Sequence, residues 1–366
     1  MYIEKVNICN FRNFKEENVR LINGTNVFFG DNAQGKTNFI ESVFMASMGK
    51  SFKSLKEKDL ILFGEKNASV SVSYYKNGRM NENRIILGDK KKLFINKVPV
   101  PKRIDFIGKL NTVLFTPQEL SIIREGPYYR RKFMDLCISQ MRIKYMHTLA
   151  SYNKALEQKN KLLKENKTEL LDIWNEKLAQ YGSLILWYRN SFVKRIKPAI
   201  DDIYRQIAGN GECLKAAYIS TVKADETDSA ENIKQNFLEE LYVNCDNEKE
   251  NQCSLIGPHR DDILFYINGK NARSFASQGQ QRSVVLALKI MQTQLFFEET
   301  GEYPVLLLDD IASELDENRR NFLFDRIKDK QVIITCTDAE KLRFYENSHY
   351  YNVCGGKINA VTEKGM

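Results

Sequence analysis

The sequence predicts an α/β fold in which a lobe of mixed sheet and antiparallel β-meander is interrupted by an inserted helical arm. Residues 1–116 carry short apolar or alternating runs broken by turns around a single helix. Residues 130–209 switch to apolar steps of three and four, and strand character returns at Asp262–Ile267 and again at Val305–Leu308. These shifts assign residues 1–116 and 255–366 to one discontinuous lobe and residues 117–254 to the arm.

The elements follow in order. Ile3, Val6 and Ile8 mark an opening strand, Val27-Phe28-Phe29 a short buried one, and Phe39 to Met48 a helix after a glycine-rich loop. Ala68 to Tyr75 alternates, Lys76-Asn77-Gly78-Arg79 is a hairpin signal, and Arg84 to Leu87 and Leu93-Phe94-Ile95 supply two further strands. One helical seam runs through Ile138, Met141, Tyr145, Leu149, Tyr152, Leu156 and Leu163, and a second through Leu171, Trp174, Leu178, Tyr181, Ile185, Tyr188 and Phe192. The charged break at Glu165-Asn166-Lys167 lets them fold back antiparallel, each about 40 Å long. Ala224 to Gln252 is acidic and polar and reads as a mobile helical or loop connection. Val284 to Phe297 forms a long apolar helix, and strands at Val305–Leu308 and Val332–Thr335 follow.

Length and composition set the class. With 366 residues, 43% of them hydrophobic, the chain has enough apolar surface for two packed domains. No apolar run approaches the length of a membrane span and MYIEKVNICNF lacks a signal-peptide core, so a cytoplasmic protein without membrane attachment is expected. The seven cysteines include no C-x-x-C pair and read as reduced thiols. The net charge of +8 is compatible with a polyanionic partner, with local clusters at Lys53, Lys56 and Lys58, at Lys90-Lys91-Lys92 and at Arg130-Arg131-Lys132.

Gly30-Asp31-Asn32-Ala33-Gln34-Gly35-Lys36-Thr37 fits G-x-x-x-x-G-K-[ST], follows a hydrophobic strand and opens a helix, which is the context a phosphate-binding loop requires. Its glycines allow consecutive backbone N–H groups to curl around the phosphates of ATP. Lys36 neutralises the β- and γ-phosphates, and the Thr37 hydroxyl ligates Mg2+. Val305-Leu306-Leu307-Leu308 ends in Asp309-Asp310: Asp309 is expected to hold the ion, and Asp310 to orient or deprotonate the attacking water. Ser277-Gln278-Gly279-Gln280-Gln281-Arg282 opens the long apolar helix, and a serine cap with glycine at a helix start presents N–H groups to an anion. Since one phosphate cradle already exists, a second anion site implies a second nucleotide.

This segment resembles the signature of ABC-type ATPases. The resemblance implies that Ser277, Gly279 and Gln280 of one subunit close on the nucleotide of the other in a head-to-tail homodimer. Ser313-Glu314-Leu315-Asp316 is similar to the D-loop at that interface. Ile8-Cys9-Asn10-Phe11-Arg12-Asn13-Phe14 looks like the opening segment of SMC-type and RecF-type chromosome ATPases, which places Arg12 on the nucleotide. Phe115-Thr116-Pro117-Gln118-Glu119-Leu120, Gly126-Pro127, Arg130-Arg131, Phe133-Met134-Asp135, Gly257-Pro258-His259-Arg260-Asp261-Asp262 and Asp309 to Asp316 extend the resemblance to the RecF family over the whole chain. Gln118 stands where that family more often carries an acid. It looks like the glutamine of SMC heads that senses magnesium and the attacking water. Glu125 replaces a usual glycine, and Cys336-Thr337-Asp338 lacks the switch histidine of transporters. His259 reads as a hydrogen-bonded structural residue.

The family resemblance implies an ATPase that dimerises on ATP, clamps duplex or gapped DNA, releases it on hydrolysis, and works with RecO and RecR to load RecA in repair, replication restart and the SOS response. Lys53, Lys56, Lys90, Lys91, Arg130 and Arg131 are the candidate DNA contacts. An SMC-like structural tether is the alternative, but it needs far longer arms. A transporter subunit is disfavoured by the helical insertion.

Overall fold

Ile3, Val6 and Ile8 bury one face of a long first strand, β1 (Tyr2–Phe11), which turns at Arg12-Asn13 into β2 (Phe14–Arg20). The computed structural model describes every residue except 55, 210, 226, 338–347 and 362–366, and the side chains of 312 and 313 are likewise outside the described set. β2 buries only Phe14 and Val19 among polar neighbours, too few apolar positions for its period to show in the sequence. The apolar strand β3 (Thr25–Phe29) runs through the glycine loop into α1 (Lys36–Met48).

The meander follows: β4 (Ala68–Lys76), β5 (Arg79–Leu87), β6 (Lys92–Ile95) and β7 (Val98–Val100), joined with the first two strands in the order β2-β1-β4-β5-β6-β7. Asn77 and Gly78 both have positive φ, the backbone that a two-residue hairpin loop requires. β8 (Thr112–Phe115) ends this first part of the chain.

Residues Leu120–Ala287 form a second unit. It contains α2 (Pro127–Met141), α3 (Ile143–Lys164), α4 (Leu171–Ala208), β9 (Leu214–Ile219), α5 (Ala230–Val243), β10 (Asp262–Ile267), β11 (Lys270–Asn271) and the start of α6 (Gln278–Thr300). The first helical seam is two helices, not one. Arg142 adopts φ −129° and ψ 93°, breaking the helix between Met141 and Ile143, and the break sets Tyr145 where its hydroxyl donates to Asp135 on α2. The two long helices are also unequal: 22 residues give α3 about 33 Å, and 38 give α4 about 57 Å.

The expected mobile connection contains an ordered helix, α5, which buries Ile233, Phe237 and Leu241 at a spacing of four. β10 pairs antiparallel with β9 along its whole length, so residues up to 287 group with the helices. The boundary expected at 254/255 therefore falls at 287/288, because strand pairing outweighs the change of sequence pattern.

The remainder of the chain returns to the first unit with β12 (Val305–Asp309), α7 (Glu317–Ile327), β13 (Val332–Cys336), β14 (Ser348–Cys354) and β15 (Lys357–Val361). Its second sheet has the order β15-β14-β3-β13-β12-β8, parallel except for β15. β3, β12 and β13 are mostly apolar and almost wholly buried, as parallel strands covered on both faces must be. No helix among the described residues is long and apolar enough to cross a membrane.

Candidate nucleotide site

The loop between β3 and α1 has φ 145° at Gly30, 64° at Ala33 and 120° at Gly35. Glycine is also required by space at both ends. A Cβ on Gly30 would lie 2.3 Å from the Val353 carbonyl oxygen, and one on Gly35 would lie 2.7 Å from the Asn13 amide nitrogen. Lys36, the first residue of α1, is buried and donates its ammonium to the carbonyls of Gly30 at 2.6 Å and Asp31 at 2.8 Å. The cation is thus held at the mouth of its own loop.

Parallel pairing carries the ends of β3, β13, β12 and β8 to one edge of the sheet, where ligands of α/β folds bind. Asp309, the last residue of β12, is buried there. It accepts a hydrogen bond from the Thr335 hydroxyl of β13 at 3.0 Å. Burial pushes the Asp309 carboxyl up, while the hydroxyls of Thr37 and Thr335 and the charge of Lys53 pull it back. Asp310 occupies the left-handed region at φ 53°, uncommon for a residue other than glycine, and its N–H is tied to Thr335 Oγ1 at 3.0 Å. Gln118 is exposed on the short turn that follows β8, the strand beside β12. The residues 30–37, 118, 309 and 310 therefore share one sheet edge. Thr335 was not anticipated, because a threonine inside a buried strand reads as β-propensity alone.

Arg12 is placed differently from expectation. Its Nε and Nη2 donate to the buried Glu41 at 2.9 and 3.0 Å, and Nη1 donates to the Asp59 carbonyl at 2.9 Å. Its guanidinium is therefore bound to α1 and a neighbouring turn.

The expected DNA-contact cations divide as well. Lys53, Lys56 and Lys90 are exposed, whereas Lys91 pairs with Glu57. Arg130 is a correction: it is 3% exposed, donates through Nε and Nη2 to the two oxygens of Asp262 at 2.7 and 2.8 Å, and donates through Nη1 to the Glu125 carbonyl. A guanidinium so enclosed is a structural tie within the helical unit. Arg131 is likewise turned inward, onto the Asp261 carbonyl at 2.7 Å.

In the second unit, Ser277 and Gln280 form a reciprocal cap at the start of α6. The Ser277 hydroxyl accepts the Gln280 N–H at 3.2 Å, and Gln280 Oε1 accepts the Ser277 N–H at 2.9 Å. Gln280 also donates to Glu212 at 2.8 Å. Asp316 caps α7 through the Arg319 N–H at 3.0 Å. The Ser313 side chain and Asp338 lie outside the described residues.

Asp135, Pro258 and Asp261 converge on the buried Arg189 of α4. Its Nη2 meets Asp135 at 2.8 Å, its Nη1 the Pro258 carbonyl at 2.7 Å, and its Nε the Tyr145 hydroxyl at 3.1 Å. His259 is buried, with Nδ1 2.7 Å from the Tyr152 hydroxyl and Nε2 3.1 Å from the Ser254 carbonyl. Burial pushes its pKa down to about 4.

A glycine loop closing on its lysine, a helix opening with threonine, and a buried acid at the end of a parallel neighbour strand define a P-loop ATPase head, here with an inserted helical unit. Residues 2–354 match the family described as the RecF/RecN/SMC N terminal domain. The DNA replication and repair protein RecF of Alkaliphilus oremlandii (strain OhILAs) is 41% identical over 352 residues, covering 94% of this chain and 95% of its own. That of Clostridium tetani (strain Massachusetts / E88) is 38% identical over 351 residues, with the same coverage of each chain. Among solved structures, the recombination mediator protein RecF-ATPrS of the RecFOR pathway superposes with a TM-score of 0.92 at 32% identity, over 99% of this chain and 98% of that one. The Smc head domain of Pyrococcus furiosus shares the fold, with a TM-score of 0.58 at 15% identity, over 99% and 97% of the two chains. The chain belongs to the RecF family.

Proposed function

We propose that this chain is a DNA-repair ATPase whose ATP-dependent head-to-tail homodimer clamps DNA at single-strand gap junctions and lets go on hydrolysis. The observation that carries the reading is the glycine loop that encloses the Lys36 ammonium between the Gly30 and Asp31 carbonyls, at the same sheet edge as the buried Asp309.

The donors fit the groups the reading requires. A hydroxyl and a carboxylate are hard oxygen ligands of the kind magnesium prefers, and Gly30 and Gly35 adopt the positive φ that a phosphate-cradling loop uses. Thr37 and Asp309 would hold Mg2+, with Gln118 on the same edge. When bound, the ion supplies positive charge to the β- and γ-phosphates. The N–H groups of the loop orient the phosphates, and Lys36 exchanges two loop carbonyls for phosphate oxygens. Asp310 positions the attacking water and accepts its proton; its side chain is one methylene shorter than the glutamate usual in this role, which slows turnover. Arg12, held by Glu41 on the helix that the loop opens, would lend its charge to the nucleotide. Ser277, Gly279 and Gln280 of the other subunit close over the γ-phosphate. RecO and RecR are the partners, RecA loading is the outcome, and the compartment is the cytoplasm.

Affinity for a gapped duplex at fixed salt, with and without ATP, tests this in the wild type, Lys36→Ala and Ser277→Arg. ATP-dependent binding lost in both variants is expected. Equal binding under every condition would reduce the DNA contact to nonspecific charge and reject the clamp.

A further inference from the structure

We infer that the turn of the β14–β15 hairpin is a clasp for the phosphate loop, with Gln34, Asn13 and Gly356 acting as positioning residues for nucleotide binding. The inference rests on the ATPase reading and adds a part to it: a segment near the end of the chain that sets the shape of a loop near its beginning.

The contacts converge on Gln34, at the tip of the loop. Its main-chain carbonyl accepts from the Asn13 amide at 2.8 Å and from the Gly356 N–H at 3.3 Å, while its side-chain oxygen accepts from the Gly355 N–H at 2.7 Å. Asn13 is itself fixed, because its oxygen accepts from Asn38 on α1 at 2.9 Å. Three close approaches tighten the arrangement. Gly356 lies against the Asn13 main chain, where a Cβ would be 2.2 Å from its oxygen. Gly35 lies against the Asn13 side chain, and Gly30 against the Val353 carbonyl of β14. The loop is thus gripped at both ends and at its tip by the β1–β2 turn and the β14–β15 hairpin.

Peptide geometry gives the grip a purpose. A trans peptide sets its carbonyl and N–H on opposite sides. Anchoring the Gln34 carbonyl toward Asn13 and Gly356 therefore directs the Gly35 N–H the other way, to the side left for phosphate. Without the anchor that peptide can rotate, and the nucleotide must order it on binding. The cost falls on affinity, not on the reaction of a nucleotide already bound. Gly355 and Gly356, with φ 56° and 74°, form the two-residue loop that makes the hairpin tight enough to present both N–H groups.

Steady-state ATP hydrolysis by the full chain tests the clasp in the wild type, Gly356→Ala, Asn13→Ala and, as a control at a hairpin glycine outside the clasp, Gly78→Asn. A methyl on Gly356 intrudes on Asn13, and Asn13→Ala removes the donor without any clash. A side chain at Gly78 meets nothing within 4 Å, and asparagine tolerates the left-handed backbone. KM for ATP is expected to rise about tenfold in Gly356→Ala and Asn13→Ala with kcat within about twofold of wild type, and Gly78→Asn is expected to match wild type in both. A wild-type KM in Asn13→Ala, or a fall in kcat at unchanged KM, overturns the clasp and leaves the ATPase reading standing. A wild type that turns over no ATP overturns both. If circular dichroism shows that Gly356→Ala has lost its fold, Asn13→Ala decides alone.

Discussion

Asp310 holds a left-handed backbone that a non-glycine residue adopts at some cost, and it does so directly after the buried acid of β12, with its N–H fixed by Thr335. The water-handling role proposed for it predicts that Asp310→Asn lowers single-turnover hydrolysis about a hundredfold while ATP affinity stays within about threefold. Equal losses in both would assign Asp310 to binding instead. That the loop residues and the acid pair follow the ends of strands in one sheet was legible because their spacing is local and each follows a plainly apolar run. The arginines were not. Arg12 and Arg130 take their roles from Glu41 and Asp262, carboxylates 29 and 132 residues away that only the folded chain brings to them. His259 makes a second prediction at this scale. The unfolded chain binds a proton near the ordinary pKa of 6.5, but the buried imidazole resists protonation until about 4. Stability present at neutral pH is therefore lost as pH falls between those values, by up to about 3 kcal/mol. Urea unfolding at pH 7.5 and pH 5 should show a smaller pH dependence in His259→Gln; an unchanged dependence would remove the histidine as its source.

Helix contacts bring similar constraints to the second unit. Gly182 of α4 faces the Phe237 ring of α5, and a Cβ there would lie 2.5 Å from it. Alanine at a mid-helix glycine ordinarily gains up to about 1 kcal/mol in helix propensity. Here the clash is expected to prevail, so that Gly182→Ala destabilises the chain by about 1–3 kcal/mol, and Phe237→Leu in the same chain recovers part of the loss. Chemical denaturation of the single and double variants checks this, and a stabilised Gly182→Ala would refute it. The elements with strong period or loop punctuation were legible: β3, α1, the hairpin at Asn77-Gly78, and the seam of α4. The break at Arg142 was not, because the seam continues through it and the polar tie between Tyr145 and Asp135 that accompanies it leaves no periodic trace. β14 and β15 were overlooked although Gly355-Gly356 is a hairpin signal, since their outer faces are polar and exposed.

At the scale of the whole molecule, the proposed clamp needs two copies, each lending its signature to the other. Ser277→Arg places a bulky cation at the exposed start of α6. Sedimentation velocity with ATP is expected to show a dimer for the wild type and a monomer for this variant, with the monomer's own ATP binding retained. A Ser277→Arg chain that still dimerises on ATP would exclude the signature from the interface.

The order of strands around β3 has a consequence for how the protein is made. β3 leads into the phosphate loop, yet its two neighbours in the sheet, β13 and β14, come from the far end of the chain. Gln331 ties the same ends together through Ile3, donating to its carbonyl at 2.7 Å and accepting its N–H at 2.6 Å. A chain emerging from the ribosome carries β3 for most of its synthesis with neither edge covered, while the helical unit between, which keeps its pairings to itself, is free to fold. The nucleotide pocket is accordingly among the last features to exist. Until then an apolar strand with two open edges has to be kept from other nascent chains, so slow translation late in the message prolongs the interval of greatest aggregation risk.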